Sequence, residues 1–180
     1  MAEPFNLNRL QQSSSTDADG LSLVLKRLNQ NMQRDQLVQQ TTDHVRQSLQ
    51  VDRVILYYFY SQWQGQVTFE SLSSPALSIL GSTGPEDCFN EEYASLYLAG
   101  RVKAIANIEV SDITPCHRDF LRNLYVRANL VVPILIPTGL WGLLIAHHCQ
   151  GDRPWSQPDI NIMQQAASTL ATAPSILRQE

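Results

Sequence analysis

No apolar run in this chain of 180 residues reaches the roughly 18 needed to span a bilayer. The opening "MAEPFNLNRLQQSSSTDADG" lacks the charged start and apolar stretch of a secretory signal. Cysteine is scarce as well. Three thiols are an odd count in a mid-sized chain, which argues against a disulfide framework and for free or functional thiols in a reducing cytoplasm. Basic residues are few, 13 Lys and Arg, and form no run; with a net charge of -4 the chain offers nucleic acid no footprint and a membrane surface little attraction. What is present is apolar: 43% hydrophobic residues against 17% charged describe a globular chain, not a disordered one. The length is that of one domain with a proper core.

The first 18 residues are polar and are expected to form a flexible arm, with a single domain over 19–180 flanked by terminal helices. Leu21, Val24, Leu25, Leu28 and Met32 recur at helical spacing. Asp35 is a candidate N-cap for a second helical stretch carrying Leu37, Val38, Thr41, Val45 and Leu49. "VDRVILYYFY" (51–60) is β-branched and aromatic, and "GQVTFESL" (65–72) reads as its hairpin partner. The Ser-, Pro- and Gly-rich stretch 73–87 is a loop. Residues 90–99 read as a helix, "VKAIANI" as a short strand and "HRDFLRNLYV" as a short helix. "NLVVPILIP", a "TG" turn and "LWGLLIAHHC" form a hairpin, and Ser156 with Asp159 is a capping box for a closing helix that Pro174 ends. This order implies an α+β fold: a central antiparallel sheet with helices packed on one face. The other face is left to hold something beneath the 73–127 excursion, a loop region long enough to be functional.

Three chemistries compete for the cysteines. Cys88, Cys116, His117, His147, His148 and Cys149 supply soft metal ligands, but no C-x2-C or H-x3-H clip is present. A cysteine beside a histidine in sequence is not a Cys–His pair in space, and no hydrolase signature surrounds Cys116. The bland reading makes Cys149 a small buried hydrophobe and His44 a solvated surface residue. The third chemistry is covalent anchoring of a bound molecule.

That third reading rests on a resemblance. "CH" at 116–117, "VRANLVVPILI", "GLLIAHHC", "GRVKAIANI" and "EDCF", in this order and spacing, resemble the bilin-binding GAF domains of cyanobacteriochromes, relatives of phytochromes, over about residues 20–172. The resemblance implies a GAF fold with a bilin pocket on the free sheet face. It implies a covalent phycocyanobilin, or its phycoviolobilin isomer, joined to Cys116 by a thioether at ring A. A thiolate is the better nucleophile, so a partly exposed, polar setting favours attachment. His117 packs on the bilin and bonds its pyrrole or carbonyl groups. Arg101 holds a propionate, which a guanidinium fork suits. Tyr93 and Tyr97, four apart on one helix face, line the pocket; His147 lies near the pigment while His148 faces away. Arg127 is a candidate for a second propionate, and Asn129 belongs to the same "VRANLVV" stretch.

Cys88 with Phe89 is similar to the "DxCF" motif of two-cysteine members, in which a second thiol adds reversibly to the central methine and shortens the conjugated path. The chain departs from that motif: Glu86 stands at the Asp position and Asp87 at the usual Pro-like one. Either carboxylate is a candidate partner for the pyrrole N–H groups, and a like-charged pair raises one pKa. Asn107 replaces the Asp of the family's "DI" pair and is expected to cap locally. The function implied is a light sensor that photoconverts by 15Z/15E isomerisation, with no turnover. Its partners are neighbouring sensor or output domains of a larger receptor, with terminal helices suited to pairing two copies. Two rivals share the fold: a GAF domain binding a cyclic nucleotide-type ligand without a covalent bond, and a GAF thiol reductase using Cys88 and Cys116.

Overall fold

The computed structural model of the chain describes residues 7–61, 64–84 and 91–177. Helix α1 (Leu7–Leu49) leads into strands β1 (Arg53–Ser61) and β2 (Gln64–Leu72), followed by a 3-10 turn at Pro75–Leu77. Then come α2 (Glu91–Leu98), β3 (Lys103–Ile105), α3 (Pro115–Asn123), β4 (Ala128–Ile136), β5 (Gly139–His148), α4 (Gln157–Ala171) and α5 (Pro174–Leu177). The five strands form one sheet in the order β2-β1-β5-β4-β3, with antiparallel neighbours throughout. This is the α+β fold expected from the sequence. Among the described residues no helix is long and apolar enough to cross a membrane.

Alternation sorts the side chains of the central strands. Val54 and Leu56 of β1, Leu130, Val132 and Ile134 of β4, and Leu144 and Ala146 of β5 face one way. They form the main core with Val38, Val45 and Leu49 of α1 and Met163, Ala167 and Leu170 of α4. The intervening residues face the opposite side, where α2 and α3 stand over the sheet and leave a cavity.

Two expectations change at the first helix. α1 is continuous from Leu7, through the stretch expected as a loose arm and through Asp35, expected as an N-cap. No proline interrupts it, and Asp35 pairs with neighbouring Arg34 at 2.9 Å instead of capping. The C-terminal part of α1 packs on the sheet, whereas Leu21, Val24, Leu25, Leu28 and Met32 are exposed. Three other local signals are found as read. Ser156 Oγ accepts from the Asp159 N–H while Asp159 accepts from the Ser156 N–H, and α4 stops before Pro174. Asn107 Oδ1 accepts from the Glu109 N–H at 2.7 Å, the local cap expected of it.

Buried Asp52 ties the start of β1 to the end of β5. It accepts from the Cys149 N–H and from Gln150 Nε2, both at 2.7 Å, and His148 Nδ1 lies 3.2 Å away. Burial alone would raise its pKa; the hydrogen bonds from Cys149 and Gln150, with His148 and Ser73, bring it below the ordinary 3.8. A depressed folded-state pKa contributes stability that is present above the unfolded value and lost as pH falls through the folded one. Asp52→Asn is therefore expected to cost about 1–3 kcal/mol at pH 7 and progressively less under acid. Urea melts of both proteins at several pH values check this; a gap that does not narrow below about pH 4 contradicts it.

Candidate functional site

The cavity lies on the sheet face opposite α1 and α4 and encloses about 790 Å³, including the part open to solvent. Its lining is mostly apolar, with Ile55, Val131, Leu143 and Ile145 on the sheet and Phe120 and Leu121 on α3. Tyr93, Tyr97, His117, Asn129 and His147, all singled out in the sequence, also line it.

α3 begins with Thr114 as N-cap, its hydroxyl accepting from the His117 N–H at 3.3 Å, and with Pro115 in the first turn. This places Cys116 and His117 together in that turn, a setting favourable for negative charge. Cys116 is exposed and disulfide-bonded; His117 turns inward to the cavity wall. Burial, then the charges of Lys103 and Arg101, hold the His117 pKa below its usual value, so its imidazole is neutral at pH 7.

α2 supplies the opposite wall. Tyr93 and Tyr97 face the cavity one turn apart, and the Tyr93 ring meets His117 edge to face at 6.2 Å. Burial pushes the Tyr97 phenol up to about 12, against a lowering by Arg101, so it stays a hydrogen-bond donor. The Arg101 guanidinium sits 5.6 Å from the centroid of the Tyr93 ring. Lys103, two residues on, has its pKa lowered by burial and by Arg101. Among the described residues neither cation lies within ion-pair distance of a carboxylate.

On the far wall, Tyr57 Oη donates to the Gly65 carbonyl at 2.8 Å and accepts from the Gly84 N–H at 2.9 Å. A Cβ at Gly65 would stand 2.6 Å from the Tyr57 ring, so glycine there makes room for the phenol. The floor carries two polar groups side by side. Asn129 and His147 are register partners on β4 and β5, both buried, and Asn129 Oδ1 has no hydrogen-bond partner among the described residues.

Several calls fall elsewhere. Arg127 does not line the cavity; it is exposed and 3.7 Å from Glu109, which also holds Arg122. His148 turns to Asp52, and His44 is exposed. Cys149 is free and half-buried, with burial raising its pKa. Glu86, Asp87, Cys88 and Phe89 lie outside the described residues. Lys103 was not singled out in the sequence; its place two residues after Arg101, at the start of β3, is the local signal available.

The GAF domain family profile matches residues 33–173. An uncharacterized protein of Picosynechococcus sp. (strain ATCC 27264 / PCC 7002 / PR-6) is 53% identical over 84% of this chain and 93% of its own length. A methyl-accepting chemotaxis protein of Synechocystis sp. (strain ATCC 27184 / PCC 6803 / Kazusa) is 35% identical over 92% of this chain, which spans only 18% of that protein. In structure, the blue-light absorbing form of the Thermosynechococcus elongatus PixJ GAF domain superposes with a TM-score of 0.72 at 32% identity, covering 80% of this chain and 88% of that one. Other neighbours are GAF domains of a cyanobacterial phytochrome with phycoerythrobilin or phycocyanobilin bound. The chain belongs to the GAF family, and its structural neighbours there are the bilin-binding domains of cyanobacteriochromes and phytochromes.

Proposed function

We propose that the chain is a light-sensing domain that holds a linear tetrapyrrole covalently through Cys116. One juxtaposition carries the reading. An apolar cavity is reached from the helix turn that bears an exposed cysteine, and near His117 of that turn stand two cations with no carboxylate partner among the described residues. That arrangement suits a long apolar molecule with two carboxylates and an electrophilic end. A bilin has all three. Asn129 Oδ1 on the floor, without a partner among the described residues, fits the pyrrole and lactam N–H groups of such a molecule.

Each residue then has a task. The Cys116 S–H adds across the ring A ethylidene double bond, sulfur to one carbon and proton to the next, with nothing leaving. The sulfur must first be in the thiol form, since it is disulfide-bonded here. Arg101 and Lys103 take the propionates, and neutral His117 packs on the pigment from the same turn as the anchor. The bilin supplies visible absorption and 15Z/15E isomerisation; the chain performs no turnover. Glu86, Asp87, Cys88 and Phe89 keep the roles the family resemblance assigns, with Cys88 as the reversible second attachment. The exposed apolar face of α1 is the seam through which the domain joins other modules or a second copy.

The test is co-expression with phycocyanobilin synthesis under reducing conditions. A denatured band with zinc-induced fluorescence and a light-reversible change in absorption are expected. A colourless chain that binds a cyclic nucleotide, or one that turns over with a thiol reductant, overturns the reading. Cys88→Ala is expected to replace a short-wavelength dark state with a long-wavelength one; an unchanged dark spectrum removes the second attachment.

A further inference from the structure

Arg53 is among the largest fully buried side chains of the described residues, and it is not among the residues that line the cavity. Its strand position is opposite His147, which in turn is opposite Asn129, so the three form one cross-strand row on the cavity face. The guanidinium is held at three points. Nε donates to His147 Nδ1 at 3.0 Å, one terminal nitrogen donates to the Leu77 carbonyl, and the other donates to the Leu124 carbonyl at 3.0 Å. Leu77 closes the 3-10 turn, and Leu124 is the C-cap of the helix that carries Cys116 and His117.

Guanidinium has only donors and is not deprotonated in proteins. The nitrogen facing it must therefore bring a lone pair. A neutral imidazole whose Nδ1 accepts carries its proton on Nε2. Protonating Nδ1 as well would set an N–H against an N–H and add a second buried positive charge. Burial first, and the Arg53 charge second, hold the His147 pKa well below the ordinary value. His147 lines the cavity, so its remaining hydrogen-bonding nitrogen is the one available there.

We propose that Arg53 is a positioning residue that fixes His147 in the Nε2–H form, so that the cavity floor presents a permanent hydrogen-bond donor. At that point the site takes an accepting oxygen, a carbonyl or carboxylate, and rejects a cation or a second N–H. Asn129 beside it supplies an acceptor in Oδ1, so donor and acceptor stand together in the row. That the accepting oxygen belongs to a bilin rests on the function proposed above; the tautomer does not, and the experiment uses the chain without pigment.

Long-range proton–nitrogen NMR on ¹⁵N-histidine-labelled, pigment-free chain reads both imidazole nitrogens of His147, assigned by the signals missing in His147→Gln. The Nε2–H form is expected to exceed the other by about tenfold or more, because the alternative breaks a buried hydrogen bond to a charged group. It should persist between about pH 5 and pH 8, where an ordinary imidazole titrates. Arg53→Lys, whose single ammonium lacks the planar fork that serves three acceptors, is expected to yield a tautomer mixture or a pH-dependent one. A dominant Nδ1–H form in the wild type, titration inside that range, or an unchanged tautomer in folded Arg53→Lys each overturns the proposal. If Arg53→Lys does not fold, the wild-type spectrum alone decides. A bilin that fails to attach while the Nε2–H form is found overturns the pigment reading and leaves the tautomer standing.

Discussion

Cys116→Ala is expected to leave no pigment on the chain after denaturation, whatever bilin is supplied. Under the reducing conditions that attachment needs, the substitution removes little else. Cys116 is exposed and sits inside the first turn of α3, where Thr114 and Pro115 already set the helix start. Alanine is the best helix former, and with the Cys116 disulfide reduced an exposed substitution of this kind usually changes stability by no more than about 0.5 kcal/mol. Fold and cavity should therefore survive, and any pigment still held without a covalent bond should be lost in a denaturing gel. His117→Ala is the useful contrast. It leaves the sulfur in place but opens the wall next to it, so attachment should slow without being abolished. A Cys116→Ala chain that still shows a zinc-fluorescent denatured band would mean that another residue anchors the pigment. Attachment to the wild type should also depend on reductant, because the Cys116 sulfur is tied in a disulfide in this structure.

What could be read in the sequence follows from range. The hairpin of β4 and β5, the capping box at Ser156 and the stop at Pro174 depend on residues a few positions apart, and their chemistry is local. Tyr93 and Tyr97 could be paired for the same reason: a helix puts residues four apart on one face. Arg53 could not be found that way. Its partner lies 94 residues along the chain, and only the β1–β5 register brings the two together. Arg127 and Lys103 show the same limit from the other side. Both are cations at strand ends, and only the closed fold brings Lys103 near His117 and turns Arg127 to Glu109. The polar stretch before Leu21 misled for a different reason. Its Ser and Asp residues favour caps and turns, but without a proline nothing forbids the helix, and α1 runs through it. Glu86 and Cys88 carry the colour-tuning questions through the resemblance alone.

The sheet's two faces make the second large expectation. Leu143 and Leu144 are neighbours on β5, both buried, and point to opposite sides. Leu144 stands between Leu56 of β1 and Val132 of β4 in the main core. Truncating it to alanine opens a hole among atoms fixed by three strands and packed against the terminal helices, where relaxation is limited. Such losses run to about 2–5 kcal/mol. Leu143 packs with Tyr97 and Val131 on the cavity side, bordering space that already exists. Its truncation enlarges a void and strips fewer packed atoms of their contacts, so the loss should be smaller. The order reverses for the pigment. Leu143→Ala changes the apolar surface that a bound bilin touches and should shift its absorption, whereas Leu144→Ala should leave the spectrum of the folded fraction alone. Urea melts of the pigment-free chains and spectra of the loaded ones separate these effects. Equal stability losses, or a spectral shift from Leu144→Ala alone, would show that the two faces are not the independent layers the register implies.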